Sequence, residues 1–461
     1  MCGIVGVVNL SPTLPPPPRA LVERMVWAIH HRGPDEMGLY LDRHAALGHA
    51  RLSIIDLASG QQPLGNEDGT LHVVFNGEIF NHVELRAELE QLGHVFRTRS
   101  DTEVIVHAWE AWGERCLPRF NGQWAFALWD GARRELVLAR DRVGVRPIHV
   151  HEGGGRVRFA SEVKSLFVDP DVPRALDPAG LVETFTFWAP RAPRTPFEGV
   201  TELPPGSVRV YAADGSVRES RWWRPTFPTE RTTTDEPEEA MAARLLASLR
   251  DATRLRMLRA DVPVGAYLSG GLDSSVIATL AREAAPGTLH TFSLRFEDAE
   301  YDETPHQRRM AERLGTVHHE VVASRRDIAE ALPDVVFHTE RPLVRTGPAP
   351  LYLLSGLVRR EGLKVVVTGE GADEFLGGYD IFREAKVRRY WAKAPASTLR
   401  PRLFDRLYPW LARSPQASRT LALRFPGLDV WDPMPLLCDG AVCNAFRSGR
   451  PLFFDGDHLS P

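Results

Sequence analysis

Val264–Leu268 is an apolar run that stops abruptly at Ser269-Gly270-Gly271, and Ser275–Ala285 then carries small and apolar residues at helical spacing. Strand, tight glycine turn and helix, in that order, commit this part of the chain to an α/β unit. With no Cβ at two successive positions, the backbone can come close to a ligand. Its N–H groups point into the space ahead of the helix, where the dipole also favours anions. Ser269, Ser274 and Ser275 add hydroxyl donors, and Asp273 can hold a divalent cation against phosphate oxygens. The stretch reads as a phosphate cradle. It is not the Walker pattern, because no Gly-Lys-Ser/Thr follows.

The flanking sequence alternates in the same way. A long amphipathic helix is expected over Glu239–Arg259, with Met241, Leu245, Leu249, Ala252, Leu255 and Leu258 on one face. Beyond the cradle come strand Thr291–Phe296, helix Thr304–Leu314, strand His319–Val322, helices around Ile328–Phe337 and Leu351–Arg360, and strand Lys364–Thr368. Strands apolar throughout, alternating with helices, predict a doubly wound parallel sheet. Its last strand runs into Gly369-Glu370-Gly371-Ala372-Asp373-Glu374. Ligands of open parallel sheets collect outside the carboxyl ends of the strands. Asp273 and Asp373 are both expected there, sharing one Mg²⁺.

The first half has a different rhythm. Ile4–Val8 reads as a short buried strand and Arg19–His30 as a helix. Ala45–Ile55 alternates around Arg51. Leu71–Phe75 is expected to end at Asn76-Gly77-Glu78. A helix over Val83–Leu92 and a strand near His94–Arg97 follow, closing on Ser100-Asp101. Gln123–Trp129 and Glu135–Ala139 form a hairpin around Asp130-Gly131. Antiparallel strands interleaved with helices predict a layered α+β domain ending near Arg221. If Met1 is removed, Cys2 has its own α-amine within reach, a base of pKa ~8.

A length of 461 residues accommodates two or three domains. A net charge of −4 gives no electrostatic footprint for nucleic acid. No apolar run is long enough for a bilayer and the N-terminus lacks a signal-peptide pattern, so a cytoplasmic protein is expected. Cys2, Cys116, Cys438 and Cys443 suit a reducing compartment. The 16 histidines fall in no His-Glu-x-x-His or paired-cysteine pattern, and no zinc is expected.

Ser-Gly-Gly-Leu-Asp-Ser-Ser at 269–275 resembles the pyrophosphate-binding loop of ATP pyrophosphatases, which adenylate a carboxylate and release pyrophosphate. Cys2-Gly3-Ile4, His31-Arg32-Gly33-Pro34-Asp35, Arg51-Leu52-Ser53-Ile54, Asn76-Gly77-Glu78 and Ser100-Asp101 are similar to the successive motifs of class II glutamine amidotransferases. That resemblance implies an N-terminal-nucleophile αββα fold, with Cys2 as nucleophile and Arg51 on the glutamine carboxylate. It also implies Asn76 and Gly77 as oxyanion hole, and Glu78 and Asp101 on the glutamine amine. The chemistry agrees: a bidentate Arg suits a carboxylate, acids suit an ammonium and amide donors suit an oxyanion. Together the two halves resemble the glutamine-hydrolysing asparagine synthetase B family from Met1 to about Phe425. The family places Leu268, Leu294, Thr368 and Gly369 at ATP and gives Glu370 proton transfer from ammonia.

The expected domains are 2–221, an amidotransferase, and 236–425, an ATP-pyrophosphatase-like synthetase domain, apparently truncated, with an atypical tail over 426–461. The implied substrates are glutamine, ATP with Mg²⁺, and aspartate. Neither nucleic acid nor a membrane is an expected partner. A homodimer is compatible with the architecture but not set by the sequence.

Two departures leave other readings open. Arg341–Pro350 carries Arg345 and Thr346 where the family often has Thr or Asp/Ser near the acceptor, which admits another carboxylate such as a sugar acid. The family's Arg-x-Pro-Phe-Leu-Asp motif and catalytic Lys have no counterpart, which admits a glutaminase or regulatory protein with an incomplete synthetase half. On that basis glutamine hydrolysis should outrun amide synthesis, unless an Arg of Arg383–Arg389 substitutes for the Lys. The tail's Asp455-x-x-His458 is similar to the end of SGNH esterases. No Gly-Asp-Ser block precedes it, so no activity is assigned there.

Overall fold

The computed structural model describes residues 1–226, 236–297, 302–400, 402–403 and 407, with short strand segments between 438 and 459. Most of the segment between the two expected domains, the end of the second from residue 404 on apart from Leu407, and the side chains of Cys438, Cys443, Asp455 and His458 lie outside the described residues. Two compact units are present: Met1–Gly271 with Ser275–Thr368, and Leu272–Ser274 with Gly369–Pro461.

The first unit opens with β1 (Gly3–Asn9), α1 (Arg19–Ala28), β2 (Glu36–Leu41), β3 (Ala45–Arg51), β4 (Leu64–Gly65) and β5 (Leu71–Ile79). Next come α2 (His82–Gln91), α3 (Glu103–Trp112), β6 (Gly122–Asp130), β7 (Glu135–Arg140), β8 (His149–Gly153) and β9 (Arg156–Ala160). Then follow α4 (Val163–Leu166), α5 (Pro178–Phe187), β10 (Val200–Glu202), β11 (Ser207–Tyr211) and β12 (Val217–Arg221). The strands form two six-stranded sheets, ordered β10-β8-β9-β1-β3-β2 and β12-β11-β7-β6-β5-β4.

Strand alternation decides the layering. Ile4 and Val8 face the other sheet and pack with Val74, Ala125, Trp129 and Leu138. Val5 and Val7 point the opposite way, onto Val22, Met25 and Val26 of α1. Phe75 and Phe126, on the far side of the second sheet, pack with Leu85, Leu89, Val104 and Ile105 of α2 and α3. The result is αββα, as the resemblance implied.

The chain continues with α6 (Glu238–Leu258), β13 (Val264–Tyr267), α7 (Leu272–Ala284), β14 (His290–Phe296), α8 (Thr304–Leu314), β15 (Val317–Ala323), α9 (Arg325–Thr339), α10 (Pro348–Arg360) and β16 (Val365–Val367). A four-stranded parallel sheet results, ordered β15-β14-β13-β16. Strand order reverses between β13 and β16, so the two glycine-rich stretches leave from neighbouring strands. In the second unit, α11 (Ala372–Leu376) and α12 (Asp380–Ala392) follow. No described helix is long and apolar enough to cross a membrane.

Several expectations are corrected. Asn76-Gly77-Glu78 does not end a strand; β5 runs through it, paired to β6. His94–Arg97 is not a strand. Its backbone is held by carboxylates instead, Val95 N–H donating to Glu67 (2.9 Å) and Arg97 N–H to Glu103 (2.7 Å). On α6 the buried residues are Thr253 and Met257, while Leu245 and Leu258 are exposed, because only the last turns pack on the sheet. β15 is an edge strand with His318, His319 and Glu320 half-buried, not apolar throughout. Lys364, just ahead of β16, is exposed and donates to Asp35 (2.6 Å) and to the carbonyl of Ser53 (3.3 Å).

Other contacts within the first unit also tie the sandwich to the parallel sheet. Asp261, ahead of β13, accepts from Asp56 N–H (2.7 Å) and donates its own N–H to Ile54 O (2.9 Å). Glu340, after α9, accepts from the N–H groups of Val163 and Lys164 at 2.6 Å each. A cavity of about 220 Å³ lies at this junction, lined among others by Arg32, His149, Glu162, His338 and Glu340.

Candidate active sites

The first site gathers at the start of β1. Pairing of Gly3 with Ala50 brings Cys2 beside the end of β3. There Leu52 N–H donates to Cys2 Sγ at 3.4 Å and the thiol faces Leu52 O at 3.6 Å. Arg32 Nε donates to the Cys2 carbonyl (3.0 Å) and Nη1 to Glu162 (2.7 Å). Burial pushes the Cys2 thiol pKa up. Burial also lowers the α-amine of residue 1 to about 5. The residue 1 amine is therefore unprotonated at neutral pH, beside a protonated thiol.

Asn76, Gly77 and Glu78 come from the middle of β5. At Gly77 φ is +156°, and a Cβ there would lie 2.2 Å from Gln123 O and 2.6 Å from Trp124 Cα. Only glycine fits. The Asn76 side chain is 0% exposed, and neither its Nδ2 nor its Oδ1 finds a partner among the described residues. A buried amide left unmet costs about 1–3 kcal/mol. Such a group is ready to meet charge that develops during a reaction.

Asp101 is carried in by the loop ahead of α3, where its Oδ2 accepts from Ile79 N–H at 2.9 Å. Burial raises Asp101 to about 6. Glu78 rises to about 7, through burial first and the Asp101 charge second. Arg51 closes β3; it donates to Glu36 Oε2 (2.9 Å) and to the carbonyls of Asp56 (2.6 Å) and Ile55 (3.3 Å). Cys2, Arg51, Asn76, Gly77, Glu78 and Asp101 therefore come together. Two residues had been given no role. Arg32 grips the Cys2 backbone, although its motif was recognised. Arg146 is half-buried, its charge acting on Glu78, Cys2 and the α-amine of residue 1, and nothing in its spacing pointed to it.

In the first unit, residues 268–271, Leu294 and Thr368 lie at the carboxyl ends of β13, β14 and β16. Leu268 N–H donates to Phe292 O (2.9 Å), and Ser293 Oγ donates to Leu268 O. Gly270 has φ +86°, and a Cβ there would press on His306 Cβ (3.0 Å) and Gln307 N (3.2 Å). Gln307 Nε2 donates to Leu294 O (3.0 Å) and Ser269 O (3.3 Å), which steadies the turn. Ser269 Oγ accepts from Gly271 N–H at 3.3 Å. Ser275 N–H makes a first-turn bond to Gly271 O (3.1 Å). Thr368 ends β16. In the second unit, Gly369 lies against the start of α7: a Cβ there would meet Ser274 N at 2.9 Å and Asp273 Cβ at 3.1 Å. Gly369, just ahead of Glu370 and of α11 with Asp373, is thus in contact with Asp273. Glu370 is exposed, and Glu374 accepts from Tyr379 Oη (3.0 Å). Arg383 and Arg388 donate to Asp380 and Glu384 of their own helix.

Residues 1–223 match the family described as glutamine amidotransferase domain, and 244–431 match asparagine synthase. The chain is 36% identical over 397 residues to the glutamine-hydrolysing asparagine synthetase of Sandersonia aurantiaca, covering 84% of this chain and 68% of that protein. The chain belongs to the glutamine-hydrolysing asparagine synthetase family. A second member, glutamine-hydrolysing asparagine synthetase 1 of Bacillus subtilis (strain 168), is 36% identical over 398 residues, 86% of this chain and 62% of that protein. Against asparagine synthetase 3 of the same organism the figures are 34% over 404 residues, 84% and 64%. The chain thus spans about two thirds of the length of the family members it matches. Both of the motif groups described above fall inside the matched part.

Proposed function

We propose that the chain is an ATP-dependent amidotransferase that takes its nitrogen from glutamine. The observation that carries this reading is the unmet Asn76 amide beside Gly77, in the half of the chain where the charges of Arg51 and Asp101 act on the buried Cys2 thiol. Met1 is removed, and the amine of Cys2 accepts the thiol proton. The thiolate attacks the glutamine amide, Asn76 and Gly77 N–H stabilise the oxyanion, and the proton passes to the departing ammonia. Arg51 holds the substrate carboxylate, while Glu78 and Asp101 hold its ammonium. Water then releases glutamate from Cys2.

Ammonia passes internally to the synthetase half. The turn at 269–275 fits a pyrophosphate: Gly270 needs its left-handed conformation, and the turn opens at a helix N-terminus. Ser269, Gly270, Gly271, Ser274 and Ser275 cradle the phosphates, with Leu268, Leu294, Thr368 and Gly369 around the nucleotide. Asp273 and Asp373 would hold Mg²⁺, which supplies neutralisation of phosphate charge. Glu370 takes the proton from ammonia as it attacks the adenylated carboxylate. Aspartate is the default acceptor, giving asparagine, glutamate, AMP and pyrophosphate in a cytoplasmic biosynthetic step. Residues 2–221 carry the first reaction and 236–425 the second.

Arg345 favours keeping a second acceptor in view. Its guanidinium stacks on Trp188 at 4.3 Å, so it is engaged with the amidotransferase half. A screen of carboxylates with saturating ATP and glutamine, reading glutamate and AMP together, tests both points. Acceptor-dependent AMP is expected, slower than glutamate release. If no carboxylate gives AMP, the synthetase reading fails and a glutaminase is left.

The pH dependence follows from the two raised acids. Both must be ionised to bind an ammonium, so kcat/KM for glutamine is expected to fall as pH drops through about 7 and then about 6, where Glu78 and Asp101 take up protons. Stability runs the other way. A carboxyl with a raised folded pKa favours the folded state below its ordinary value, and that contribution is lost as pH rises through about 7. A kcat/KM flat from pH 8 to below 6 would remove these two acids from ammonium binding.

A further inference from the structure

Away from both sites, four side chains with metal-ligating atoms converge beside α3. Glu67 lies in the turn between β4 and β5, His94 in the segment after α2, and His107 and Glu110 one turn apart on α3. One ligating atom from each lies within 4.8 Å of all the others. His107 Nδ1 is 3.4 Å from Glu67 Oε2 and 3.4 Å from Glu110 Oε2. His94 Nδ1 is 3.7 Å from Glu110 Oε2 and 3.9 Å from Glu67 Oε1. Ligand atoms around a tetrahedral zinc, with bonds of about 2.0–2.1 Å, stand about 3.3 Å apart. From separations of up to 4.8 Å, side-chain shifts of up to about 1.5 Å would close the set.

The surroundings are those of a ligand shell. His107 is 1% exposed, and its other nitrogen, Nε2, faces the buried Glu103 carboxylate at 3.6 Å. At that distance Nε2 makes no hydrogen bond among the described residues; with an ion on Nδ1, Glu103 is the acceptor at hand for the Nε2 proton. Glu103 is itself fixed by Arg97 N–H, Thr98 N–H (2.7 Å each) and Thr98 Oγ1 (2.6 Å). Glu110 Oε1 accepts from Asn66 Nδ2 (2.8 Å) and Glu67 Oε1 from Val95 N–H (2.9 Å). Two neutral imidazoles and two carboxylates balance a divalent charge and suit zinc by donor type.

We propose that Glu67, His94, His107 and Glu110 form a structural zinc site in the amidotransferase half. The sequence expectation of no zinc rested on local spacing, and only His107 and Glu110 are close in sequence. The ion ties the irregular segment 94–98 to α3 in place of strand pairing. Through Glu103 it also steadies the approach to Asp101.

The test uses the full chain. Purified protein, dialysed against metal-free buffer, is analysed for metal content; then it is stripped with a chelator and titrated with Zn²⁺ alone or Co²⁺ alone. One zinc per chain is expected, with a tetrahedral Co²⁺ absorption spectrum. Zinc in excess should raise Tm by roughly 5–10 °C. His107→Gln and Glu110→Gln should lose the ion, and Asp273→Asn should keep it. If His107→Gln does not fold, His94→Gln, at a more accessible ligand, reads the same loss. Absence of stoichiometric zinc at micromolar free metal overturns the site and leaves a buried His–Glu ion-pair cluster. So does binding that survives both His94→Gln and Glu110→Gln.

Discussion

Replacing Cys2 by Ala is expected to lower glutamine hydrolysis by roughly 10⁴–10⁶-fold, the scale on which enzymes lose rate with their nucleophile. AMP formation with ammonia as nitrogen source should stay at the wild-type rate. Cys2 is held by Leu52 and Arg32, and nothing it touches belongs to the parallel sheet. A thiol-to-methyl change leaves that frame in place. One further residue ahead of Cys2 after processing should be as damaging, because the base is then tied up in a peptide bond. Glutamate release and ammonia-driven AMP, measured side by side with mass analysis of the N-terminus, check this. Hydrolysis at the wild-type rate in Cys2→Ala would remove Cys2 from the mechanism.

The second large effect is at the acidic pair. Asp273→Asn and Asp373→Asn are each expected to lower AMP formation by about 10³-fold, since neutralising transferred phosphate charge is worth several kcal/mol. Glutaminase activity should be untouched. Asn is nearly isosteric, so the packing of Gly369 on Asp273 survives the change. Raising Mg²⁺ should recover part of the loss if both acids hold the ion. A variant that forms AMP at the normal rate would show that the two acids do not share a metal.

What the sequence revealed depended on how locally each feature is encoded. The 269–275 turn was legible because strand, glycines and helix are contiguous. α8 was expected over Thr304–Leu314 and is found there, with Pro305 near its start and Gly315 in a left-handed conformation past its end. Asn76-Gly77 misled for a physical reason. Asn-Gly is a strong turn signal, yet here glycine serves close approach to Gln123 and Trp124 inside a strand. The α6 stripe was real as a pattern, but burial depends on which turns meet the sheet. Arg146 and the Glu67–His94–His107–Glu110 cluster were invisible because their partners are brought in by tertiary folding alone.

The loop after Arg51 is also a shared wall. Its Ile54, Asp56 and Ser53 backbone groups bond Asp261 and Lys364, the residues that lead into β13 and β16. Arg51 bonds the carbonyls of that same loop. A ligand that draws on Arg51 and one that settles at the far ends of those strands therefore load one piece of backbone from two sides. Thermodynamic reciprocity then leaves no freedom of direction: by whatever factor nucleotide alters the dissociation constant for glutamine, glutamine alters that for nucleotide by the same factor.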